Sequence, residues 1–152
     1  MSDVLSQGQS SRLYNSLLKE QQLFSDVHAY ITSSIDEGLF VIEGKLVEGV
    51  SIERAEAAIW AELHKLVEAQ VTEEEITKVK NKSESIMVFA EMSLLDKAMN
   101  LAYYELLGDA DGLNTEINKY LAVRPADIQE AAKATFKKEQ CSTLHYLTAQ
   151  DA

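Results

Sequence analysis

The residues of this 152-residue chain that could do chemistry are few: three histidines, one cysteine and several runs of carboxylates. A metal centre needs several His, Cys or carboxylate ligands brought together. His28, His64 and His145 lie far apart in sequence, and neither H-x-x-E-H nor C-x-x-C occurs. Asp26 and His28 are two residues apart, so on a strand they share a face. There they could hold a metal or orient an imidazole, and a solvated strand face explains the same pair. A site also needs further convergent groups. His64, beside Glu62 and Lys65 on a helical stretch, reads as a surface-edge residue.

Other clusters have simpler explanations. Glu73-Glu74-Glu75 follows Thr72 and makes a capping box, with acids where a helix dipole favours them. Gly108-Asp109-Ala110-Asp111-Gly112 resembles the start of a calcium loop but lacks the later ligands and the terminal glutamate. Ser10-Ser11 has no glycine-framed elbow, and Cys141 has no evident base and reads as a small apolar residue. On the residues alone we expect no catalytic, substrate-binding or metal-ligating residue in this chain.

The elements that would position a site follow from periodicity. Leu5, then Leu13, Tyr14, Leu17 and Leu18, give two helical pieces, the second capped by Ser10 or Ser11. Leu23 to Thr32 alternates, with Val27, Ala29 and Ile31 on one face and Asp26, His28 and Tyr30 on the other. After turn residues at 33–38, Leu39 to Val47 alternates again, which predicts a β-hairpin. Ser51 caps a helix whose stripe is Ala55, Ile59, Leu63, Leu66 and Val67, with Glu53, Arg54, Glu56 and Glu62 toward water. From Thr72 a long helix carries Ile76, Val79, Ser83, Ile86, Ala90 and Leu94 on its buried stripe, and helical spacing continues to Leu106. Met87, Met92, Met99 and Trp60 read as core. A short helix around Leu113 to Tyr120 precedes one starting at Pro125, with Ile128, Ala131, Ala132 and Phe136 buried. Cys141 to Thr148 alternates and predicts a closing strand. The fold class is α+β: helix-rich, with an antiparallel sheet covered by helices.

Composition bounds the partners. Fourteen basic residues against twenty-five acidic give a net charge of −11, the wrong sign for phosphate backbones or anionic lipid surfaces. We expect no nucleic-acid and no membrane partner. The first residues, Met1 to Gly8, lack the basic stretch and apolar run of a secretory signal, which leaves the compartment unassigned, and no window is apolar enough to span a bilayer.

Several stretches, in order, resemble the pitrilysin/insulinase family of zinc metallopeptidases. Ser10-Ser11-Arg12-Leu13-Tyr14 with Leu17-Leu18-Lys19-Glu20 resembles the family's "SSRL…LREKEGLAYSV" passage. Gly38-Leu39-Phe40-Val41-Ile42-Glu43-Gly44 is similar to "PGLFVISG", Thr72-Glu73-Glu74-Glu75-Ile76-Thr77-Lys78-Val79-Lys80-Asn81 to "TEEELERAKN", and Val123-Arg124-Pro125-Ala126-Asp127-Ile128-Gln129 to "VTPEDIQ". The resemblance implies a C-terminal-type, processing-peptidase-like domain over residues 1–152. It would be half of a clamshell, lack its N-terminal strand or strands, and be a fragment of a larger protein.

Family members bind zinc through H-x-x-E-H and a later glutamate in an N-terminal-type domain, so zinc is expected in the parent protein and not in this chain. The C-terminal-type domain often supplies an arginine and a tyrosine that hold the substrate carbonyl and its developing oxyanion. Leu18 stands at the arginine position and Ser25 at the tyrosine position. The resemblance therefore implies a domain inactive alone, which walls a peptide chamber and packs on a zinc-bearing domain of the same protein or of a partner subunit. The alternative is a stand-alone or assembly-forming interaction protein with the fold and no activity. An open sheet edge would also promote homo-oligomers. Arg124 replaces the family's capping threonine or serine, at a cost of roughly 1 kcal/mol.

Overall fold

The computed structural model describes residues 1–32, 36–90 and 92–147. Residues 33–35 of the hairpin turn and Thr148 of the expected closing strand lie outside the described residues. The chain divides into two compact units: Met1–Gln70 with Ile128–Ala152, and Val71–Asp127. Among the described residues, no helix is long and apolar enough to cross a membrane.

The first unit holds the hairpin. β1 (Phe24–Ile31) pairs antiparallel with β2 (Phe40–Leu46), setting Val27 opposite Gly44, Ala29 opposite Ile42 and Ile31 opposite Phe40. Val27 and Ala29 are buried as their alternation predicts, whereas Ile31 at the hairpin end is 51% exposed, and Phe24 joins the buried face only through the ladder irregularity that follows it. The register slips between Phe24 and Asp26. Gly44 lets the strands close there, because a Cβ on it would come 2.7 Å from the Phe24 ring.

Helices cover that face. α1 (Ser2–Ser6) lies on β1, where the Ser6 hydroxyl donates to the Ala29 carbonyl at 2.9 Å and accepts from the Ala29 N–H at 2.8 Å. One side chain thus satisfies both backbone groups of an edge residue. The second helical piece is a π-helix (Tyr14–Glu20), with Leu13 and Leu17 fully buried. Ser11 does not act as the expected acceptor cap; its hydroxyl donates to the Gly8 carbonyl at 2.7 Å. α2 (Ile52–Glu68) starts on the Ser51 cap, whose side chain accepts from the Arg54 N–H at 3.3 Å.

In α2 the buried stripe is Ala55, Ala58, Glu62, Leu63 and Leu66. Glu62 therefore faces inward, which corrects the expectation that it points to water. The closing strand is a second correction: residues 141–147 are exposed and pair with no strand. Alternation supplies the propensity for a strand but not the neighbour whose backbone must bond it. The segment is tied instead to α2, with Thr143 Oγ1 3.5 Å and His145 Nε2 3.8 Å from the Glu56 carboxylate. Cys141 is likewise exposed rather than packed as an apolar residue.

The second unit is helical: α3 (Glu73–Ala90), α4 (Leu94–Leu106) and α5 (Gly112–Ala122). The capping box forms as read, with Thr72 Oγ1 accepting from the Glu75 N–H at 3.2 Å and Glu75 Oε2 from the Thr72 N–H at 2.9 Å. The long helix breaks before Ser93, whose side chain caps α4 by accepting from the Asp96 N–H at 3.2 Å. α5 packs on both α3 and α4. Ile86, Leu94, Met92 and Met99 are exposed, correcting their assignment to the core. α6 (Pro125–Thr135) starts in this unit and continues into the first, where Ile128 and Ala132 are buried and Phe136 meets Phe40 edge-on at 5.1 Å.

Candidate functional site

The strand face that holds Asp26 and His28 forms as the alternation predicts. His28 Nε2 lies 3.0 Å from Asp26 Oδ2, with the two side chains 57% and 60% exposed. Pairing sets Lys45 opposite Asp26 and Glu43 opposite His28, and the Tyr30 hydroxyl donates to Glu43 Oε2 at 3.2 Å. Each carboxylate is thus already beside a donor or a cation, on a surface open to water. Among the described residues no group of three or more His, Cys, Asp and Glu side chains could hold a metal ion. His64 is exposed and stacks obliquely near Trp60, with ring centroids 6.1 Å apart.

Leu18 and Ser25, which the resemblance aligns with an arginine and a tyrosine, stand on the π-helix and at the start of β1. Leu18 is half-buried within the π-helix. Ser25 is exposed, and its hydroxyl donates to the Lys45 carbonyl at 3.1 Å, in the irregular stretch of the ladder. Leu18 has no polar side-chain atom, and the Ser25 hydroxyl bonds a backbone carbonyl. Between them Gln22 sits at φ +52°, a left-handed conformation that glycine adopts freely and other residues only at a cost. It aligns with the glycine of the "LREKEG" passage that this stretch resembles.

A buried polar network behind the π-helix was not visible in the sequence. Glu62 is 4% exposed, and its Oε1 accepts from Ser16 Oγ at 2.6 Å and from Lys65 Nζ at 2.6 Å. Gln21 Nε2 donates in turn to Ser16 Oγ at 2.9 Å. Residues 16 and 62 are far apart in sequence, and no local pattern links a serine in one helix to a glutamate in another. The Ser16–Glu62 bond joins the π-helix to α2, with Gln21 and Lys65 completing the network.

The sequence profile described as the peptidase M16 inactive domain matches residues 1–83, which include the π-helix, the hairpin and α2. The chain belongs to this family. It is 26% identical over 144 residues to the zinc protease PqqE of Helicobacter pylori, covering 95% of this chain and 32% of that protein. A crystal structure of a protease from Helicobacter pylori superposes with a TM-score of 0.83 at 26% identity, over 91% of this chain and 33% of that one. The fold also matches the inactive peptidase domain of a zinc protease candidate from Bordetella parapertussis, with a TM-score of 0.84 and 20% identity over 96% of this chain and 79% of that one. The chain thus spans about a third of the length of its Helicobacter relatives. M16 inactive-domain membership accounts for the helix-rich α+β fold and agrees with the resemblance of the four motif stretches.

The remaining electrostatics belong to helix ends. Arg124 N–H donates to Asp127 Oδ2 at 2.8 Å, and the guanidinium reaches the same carboxylate through Nε at 3.2 Å and Nη2 at 2.8 Å. These bonds hold the Asp127 carboxyl below its usual range. Asp127 thereby caps α6 from its first turn, so the arginine at the capping position costs less than a missing threonine suggests. In the second unit, burial and then a hydrogen bond to Glu116 push the Tyr104 hydroxyl up to about 12.

Proposed function

We propose that residues 1–152 form the non-catalytic C-terminal-type domain of a zinc-dependent metalloendopeptidase. In that role the domain walls the peptide-binding chamber and packs on the zinc-bearing domain of the same protein or of a partner subunit. The observation that carries the reading is membership of the M16 inactive-domain family in a chain that covers about a third of a zinc protease. Zinc and peptide chemistry then belong to the remainder of the parent. Leu18 and Ser25 remove the two side chains by which such a domain would help hold the substrate carbonyl, which leaves shape as its contribution. The test is the coding region around this chain. A domain bearing H-x-x-E-H in the same or the adjoining frame, expressed with this chain, should form a complex that binds zinc and cleaves peptides. A neighbouring domain of that kind that neither binds this chain nor needs it for cleavage would reject the reading.

Leu18 and Ser25 also favour a second reading, an interaction protein that keeps the fold without activity. A coding region with no H-x-x-E-H neighbour, and a stable complex with a non-peptidase partner, would select it.

A further inference from the structure

We draw no further inference here: the strongest candidate, the exposed apolar surface patch of Leu95, Met99 and Leu106 along α4, is an unpartnered helix face, and nothing in the structure shows what covers it.

Discussion

The two units bury their apolar residues to very different degrees. In the first, Leu5, Leu13, Leu17, Leu23 and Leu66 are essentially inaccessible to solvent, and the one carboxylate among them, Glu62, is bonded by Ser16 and Lys65. In the second, α4 contributes no buried residue, while Leu94 and Leu106 stand 85% and 73% exposed. Stability in the first unit comes from packing between elements distant in sequence. In the second it comes from local devices: the Thr72–Glu75 box, the Ser93 cap and the Tyr104 anchor. Exposed apolar side chains occur in both units, but in the second they extend along a whole helix, α4.

The largest effect that separates the units is a leucine truncation in each. Leu17→Ala or Leu66→Ala should lower stability in urea unfolding by about 2–5 kcal/mol, since each leaves a cavity in a closed core. Leu94→Ala should change monomer stability by less than about 0.5 kcal/mol, because nothing of its own unit closes over it. Equal losses at the two sites would erase the distinction. Next, Ser16→Ala takes a donor from the buried Glu62 carboxylate, and a loss of about 1–3 kcal/mol is expected, with partial recovery in Ser16→Ala/Glu62→Gln. Gly44→Ala should cost about 1–3 kcal/mol as the Phe24 ring gives way, read from the unfolding midpoint.

Much of this was legible locally. The hairpin follows from the alternation of Val27, Ala29 and Ile31, and α3 from the Thr72 box, because both signals lie within a few residues of the element they start. Glu62 was misread because the hydroxyl that permits its burial is contributed by Ser16, on another element. The break before Ser93 was hidden because Leu94 continues the apolar phase of α3. The stretch from Cys141 alternates like a strand, but whether a strand forms depends on a partner that periodicity does not reveal. For the candidate site, the Asp26–His28 pair was readable from spacing, whereas Leu18 and Ser25 acquire meaning only from the family motif they interrupt.

Two smaller effects sharpen the comparison. Gln22→Gly should stabilise the first unit by about 1 kcal/mol, because the left-handed backbone at Gln22 then carries no side-chain penalty. Two helices, α4 and α6, should also respond to opposite ends of the pH scale. Tyr104 has a folded value near 12, above its ordinary 10, so its contribution is complete below pH 10 and is lost as pH rises through about 12. Hydrogen exchange in α4 should accelerate across that window before exchange in the hairpin does, and Tyr104→Phe should abolish the dependence. Asp127, held low by Arg124, works the other way. Its contribution is present above its unfolded value and fades as pH falls through the lower folded one, so α6 should fray first from its N-terminal turn in acid. Arg124→Ala should remove that step from an amide-exchange profile.

The central claim is that this M16 inactive-domain chain carries no peptidase chemistry of its own. Its most direct test is to purify the full chain, measure bound zinc by elemental analysis after dialysis against the metal, and assay cleavage of a mixed peptide library with and without chelator. We predict zinc well below one per chain and no chelator-sensitive cleavage. One zinc per chain together with cleavage that a chelator abolishes would contradict the account.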